Sequence, residues 1–184
     1  MARVSDVPPE KVPPDVRETY LRFAGGYGAF RDQVGVFAHV PSAVQHLMGL
    51  LLDLREQQNV PYRYIELAIV AVSKLNECHY CVAHHKLLLM VEGVSAEGVE
   101  RILDYREHPE LDETDKLVVE YAIAVTNASQ RIPDSLFERL RQHFSEAQLV
   151  ELTLRIALCG FFNRFNDALE IDAESAAPAT ARRR

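Results

Sequence analysis

Between Pro61 and Gly93 the chain meets neither proline nor glycine, so nothing in that interval breaks a regular backbone on its own account. Its apolar residues recur at helical spacing, which predicts a strongly apolar helix from Tyr62 to Leu75. Within the interval, the stretch Glu66–His85 (ELAIVAVSKLNECHYCVAHH) holds two of the chain's three cysteines, three of its seven histidines, and a carboxylate inside an apolar run. Read as helix, Cys78, Cys81 and His85 stand at i, i+3 and i+7 and share a face. A single helix continued from Glu66 to Cys78 turns the two residues roughly 120° apart, because twelve steps of about 100° do not close. Asn76 resolves this as a helix N-cap: one helix ends near Leu75, and a second begins at Glu77 and runs to Glu92 with Gly93 as its stop.

The rest of the chain reads as helices around this pair. The first thirteen residues, with Pro8, Pro9 and Pro13, form an extended arm. A helix follows over Pro14–Ala24, and Tyr27–Val40 is mixed because Gly28 and Gly35 interrupt its helical spacing. Ser42 caps a helix that reaches Gln57. Further helices are predicted over Ala96–Tyr105 (capped by Ser95), Glu113–Asn127 (capped by Asp112) and Pro133–His143. Ser145 and Gln148 form a capping box for a long helix over Glu146–Ile171. No alternating run or hairpin turn is present, so the fold class is all-α, one helical domain over 14–172. The Ser/Ala/Pro segment 173–184, ending in Arg182–Arg184, reads as a disordered tail.

Composition limits the function classes. A net charge of −7 and a pI near 5.5 argue against a nucleic-acid binder. The first fourteen residues lack the apolar core of a secretory signal, and no apolar run is long enough to span a bilayer, so a cytoplasmic location is expected. In that reducing compartment a Cys-x-x-Cys belongs to redox chemistry or metal binding rather than to a structural staple.

Two thiols one helical turn apart lie within the span of a disulfide. A reactive thiol needs a lowered pKa, from a helix N-terminus or a neighbouring proton acceptor. The first turn after Asn76 favours Cys78, and the imidazole of His85, one turn beyond, favours Cys81. Glu66 must find a partner if it is buried; it is either a proton shuttle or a surface ion pair with Arg63 or Lys74. Cys78, Cys81 and His85, with Glu66 or His84, also make a conceivable zinc set, although no second ligand pair is evident. Cys159 reads as an inert core thiol, Tyr80 as a helix-interface aromatic, and His79 and His84 as surface or interface residues.

Two features lie outside this stretch. Placing Ile65–Leu67 over Val150–Leu152 matches the apolar positions of two helices and sets Cys78, Cys81 and His85 opposite Asn163, Asn166 and Glu170. Asn163, Arg164, Asn166 and Asp167 also form a polar patch, suited to inter-helix contacts or to the mouth of a site.

The pattern Glu66, eleven residues, Cys78-x-x-Cys81-x-x-x-His85 resembles the AhpD-like alkyl hydroperoxidase family, within the carboxymuconolactone decarboxylase superfamily. The segments FAHVPSAVQHLMGLL and FFNRFNDAL share the resemblance. It implies an all-helical, cofactor-independent thiol peroxidase that assembles as a trimer or hexamer. By the same resemblance Cys81 is the peroxidatic thiol, Cys78 resolves it as a Cys78–Cys81 disulfide, and Glu66 with His85 relays the proton. The implied partners are an organic hydroperoxide and a lipoyl- or thioredoxin-like dithiol reductant, with no nucleic acid and no membrane. The decarboxylase branch of the superfamily lacks the paired cysteines, which disfavours lactone or carboxylate processing here.

Overall fold

The computed structural model of the chain describes residues 2–26 and 30–171. The described residues form helices and connecting turns with no strand among them, as the all-α reading expects. They gather into two compact units, Met1–Gln58 with Asn166–Arg184, and Asn59–Phe165.

In the first unit, Pro9–Lys11 makes a single 3-10 turn within the arm. Val12 is buried, and the Arg17 guanidinium donates to the carbonyls of Pro9, Glu10 and Val12, so the arm is held by its own unit. Helix α1 (Pro14–Gly26) buries Val16, Tyr20 and Phe23, a stripe at i, i+4 and i+7. Of the mixed segment, Gly28 lies outside the described residues, and α2 occupies Arg31–Phe37. The helix expected from a Ser42 cap begins instead at Pro41, with Val40 as its N-cap. It runs as α3 (Pro41–Ala43), one wide π-type segment (Val44–Met48) and α4 (Gly49–Gln57). Pro41 takes the first helical position, where its missing N–H leaves no bond unmade. The expected tail, 173–184, lies outside the described residues.

The second unit is built on α5 (Tyr62–Leu75), which packs against α6 (His79–Val91) and α8 (Glu113–Ala128). Buried α5 residues on more than one side, Leu67, Ala68, Val70, Ala71 and Val72, join Leu89, Leu117, Val118, Tyr121, Leu152 and Ile156 in one core. Each large side chain withdrawn from water here contributes roughly 1.5–3 kcal/mol. Gly93, at φ +94, ends α6, with Val94 N–H bonded to Leu89 O and Gly93 N–H to Met90 O. Ser95 caps the short α7 (Ala96–Glu100), and the remainder of that expected helix is a 3-10 segment, Ile102–Glu107. Asp112 and Asp115 form a capping box for α8, Pro133 precedes α9 (Asp134–Arg141), and the Ser145–Gln148 box opens α10 (Glu146–Leu169). Arg63 ties several of these elements together: it grips both oxygens of the buried Asp115 and donates to the carbonyls of Glu92 and Glu110.

Candidate active site

The break between α5 and α6 is a helix-ending turn, not the N-cap at Asn76 that the sequence suggests. Asn76 is the C-cap of α5. Glu77 follows in the left-handed region at φ 56, with its N–H bonded to Lys74 O at 3.2 Å. The N–H of Cys78 reaches back to Ser73 O at 3.0 Å, which completes a Schellman motif. Cys78 is extended and serves as the N-cap of α6, whose first residue is His79. The expected start at Glu77 is thereby corrected. Asn76 can end a helix as readily as begin one, and the backbone bond to Ser73 decides between the two.

This shift changes the electrostatic argument about the thiols. Cys78 sits at the N-cap and Cys81 at the third helical position, so both lie at the positive end of the α6 dipole. The dipole therefore does not single out Cys78. Both cysteines are buried, and both are thiols rather than halves of a disulfide.

Glu66 and His85 meet across the turn. His85 Nδ1 lies 2.7 Å from Glu66 Oε2, with Glu66 2% and the His85 side chain 14% exposed. The ion pairs suggested for Glu66 with Arg63 or Lys74 do not form, because Arg63 holds Asp115 and Lys74 holds Glu100. With the carboxylate accepting at Nδ1, a neutral His85 carries its proton there and keeps the lone pair on Nε2. His85 stands one turn after Cys81 on the same helix, the spacing at which side chains share a face. The structure thus joins Glu66 directly to His85, and places His85 on the Cys81 face of α6. Among the described residues no group of three or more His, Cys, Asp or Glu side chains is arranged to hold a metal ion.

The flanking residues divide. His79 is exposed. His84, expected at a surface or interface, is instead 2% exposed, with Nδ1 bonded to Tyr80 O at 2.6 Å and its ring 4.3 Å from the Tyr80 ring. Its position, i+4 from Tyr80, lets the two rings cover one another inside the protein.

Sequence reasoning missed a polar cluster behind the turn. Cys159 Sγ lies 3.3 Å from Ser73 Oγ, and Asn163 Nδ2 donates to the same hydroxyl at 3.3 Å. Asn76 Nδ2 donates to Asn163 Oδ1 at 2.8 Å. Burial pushes the Cys159 thiol up to about 12, with Cys78 and Glu66 adding to the rise and the bonds from Ser73 and Asn163 opposing it. Cys159 is thus kept protonated, in line with an inert core thiol. The signal for the cluster was Ser73 itself, a lone hydroxyl in an apolar helix. Of the late polar patch, Asn163 belongs to this cluster, whereas Asn166 accepts from Gln33 Nε2 at 2.9 Å within the first unit. The echo between the two helices carries no second thiol site: α10 continues unbroken where α5 and α6 part.

Residues 41–107 match the model of the carboxymuconolactone decarboxylase family. The AhpD-core structure of a peroxidase-related protein from Ralstonia eutropha JMP134 superposes with a TM-score of 0.82 at 20% identity, over 95% of this chain and 93% of that one. The debrominase Bmp8, in complex with 2,3,4-tribromopyrrole, superposes with a TM-score of 0.76 at 18% identity, over 94% and 91% of the two chains. In sequence, the chain is 24% identical to protein YnjA of Escherichia coli K12 over 169 residues, 91% of this chain and 92% of the relative. The fold is that of the AhpD-like all-helical proteins. The chain belongs with the AhpD-like family inside the carboxymuconolactone decarboxylase superfamily, as the resemblance in its sequence implies.

Proposed function

We propose that the chain is a thiol-dependent peroxidase whose redox centre is the Cys78–Cys81 pair. The observation that supports this most directly is the buried Glu66–His85 pair, 2.7 Å apart, on the helix that also carries both cysteines. Cys81, as thiolate, attacks one peroxide oxygen; the O–O bond breaks, the sulfur becomes a sulfenic acid, and the alkoxide takes a proton to leave as alcohol. His85, steered by Glu66, receives the thiol proton and returns it to the alkoxide. Cys78 then displaces water from the sulfenic acid and forms the disulfide. A small dithiol reductant, oxidised in its turn to a disulfide, restores both thiols. The protein works without a cofactor, as a cytoplasmic homo-oligomer.

The test is peroxide consumption with dihydrolipoamide as electron donor, followed by mass spectrometry. Cys81→Ser abolishes turnover, and Cys78→Ser leaves a sulfenic acid or mixed disulfide on Cys81. Full activity in Cys81→Ser overturns the reading. Turnover of a carboxylated lactone that survives alkylation of both thiols supports a decarboxylase-type activity instead.

A further inference from the structure

We infer that Asn163 is a positioning residue for the redox pair, acting through the turn that carries Cys78; this rests on reading Cys78 and Cys81 as a dithiol couple. Asn163 is fully buried and touches neither cysteine of the pair in any hydrogen bond of the structure described above. Its amide spans the turn from behind. Nδ2 donates to Ser73 Oγ at 3.3 Å, and Oδ1 accepts from Asn76 Nδ2 at 2.8 Å. Ser73 and Asn76 are the first and fourth residues of the segment whose sixth is Cys78. The carbonyl of Ser73 accepts the Cys78 N–H, so the residue that orients the Cys78 backbone is held by Asn163 through its side chain.

The turn needs such a hold. Glu77 at φ 56 occupies the left-handed region, which costs a residue with a side chain roughly 1–2 kcal/mol. A conformation of that kind persists where its surroundings over-determine it. The only groups that could relax without breaking a helix are the side chains of Ser73, Asn76 and Asn163, and these are bonded to one another.

The consequence falls on the disulfide more than on the dithiol. A disulfide requires its two sulfurs at bonding distance and its torsion near ±90°. Two thiols carry no such demand. Loosening the turn therefore costs the oxidised form more than the reduced one and moves the couple towards dithiol.

The experiment equilibrates the protein against a graded dithiothreitol redox buffer, and mass spectrometry reads the Cys78–Cys81 disulfide fraction. Asn163→Leu and Asn76→Ala remove the same hydrogen bond from its two ends. Each shifts the dithiol–disulfide equilibrium towards dithiol by roughly three- to tenfold, the range of one net hydrogen bond. The double variant shifts it no further than the worse single. Asn76 is only half-buried, so Asn76→Ala alone decides the matter if Asn163→Leu does not fold. Parental disulfide formation with variant equilibria within twofold of it, even beside a lowered melting temperature, overturns the inference and leaves the redox pair intact. Failure of the parental protein to form the disulfide at all overturns the redox pair, and this inference with it. No peroxide enters the measurement, so an error about the substrate alters neither outcome.

Discussion

Glu66→Gln keeps the volume and one acceptor oxygen of the side chain while removing its charge. In the native site the carboxylate is 2% exposed and sits 2.7 Å from His85 Nδ1, so water screens the pair little. A hydrogen bond with a charged partner contributes roughly 1.5–3 kcal/mol, against about 1 for a neutral one. Glutamine retains the neutral bond, so the loss is about 0.5–2 kcal/mol. At 1.36 kcal/mol per decade this slows thiol oxidation by roughly 2- to 30-fold. His85→Gln removes the base itself, and general-base catalysis contributes about a hundredfold or more. The assay is single-turnover oxidation of pre-reduced protein by an organic hydroperoxide, quenched with iodoacetamide and read by mass spectrometry. Because the two side chains act as one unit, the double variant is no slower than His85→Gln alone. Parental rates in both single variants, or a double variant as slow as the product of the two effects, refute the relay.

Glu77→Gly relieves a left-handed backbone at an exposed position; the roughly 1–2 kcal/mol gained exceeds the 0.5–1 kcal/mol that glycine loses in chain entropy. A net gain of about 0.5–1 kcal/mol is expected in urea unfolding, and a loss of stability refutes the strain argument. Arg63→Ala leaves Asp115 buried without its guanidinium and costs on the order of 3 kcal/mol, measured the same way; a change below about 0.5 kcal/mol contradicts that role. For Cys159 the folded thiol ionises at about 12 and an unfolded one near 8.5, so at higher pH the unfolded chain binds fewer protons. The thiol's stabilising contribution is complete below about pH 8.5 and is lost as pH rises towards 12, by up to about 1.4 kcal/mol per unit. Cys159→Ala therefore flattens the alkaline fall of the urea midpoint between about pH 8 and pH 10, and an unchanged slope in the variant refutes this.

What the sequence determined by itself was local. The span of α5 from Tyr62 to Leu75, the stop at Gly93 and the caps at Asp112 and Ser145 follow from periodicity and from side chains that bond their own backbone. The spacing of Glu66, Cys78, Cys81 and His85 was equally legible, and the turn arithmetic demanded a break between Glu66 and the cysteines. Tertiary structure decided the kind of break. Asn76 is competent at either end of a helix, and only the Ser73–Cys78 backbone bond and the Asn163 amide make it the end of α5. It also decided the partner of Glu66, since Arg63 and Lys74 lay within sequence reach but were drawn off by Asp115 and Glu100. The same holds for His84 and for Asn163, 87 residues away from Asn76 in the chain. A local pattern states which bonds a side chain can make, and only packing, by removing water from some of them, selects the bond that is made.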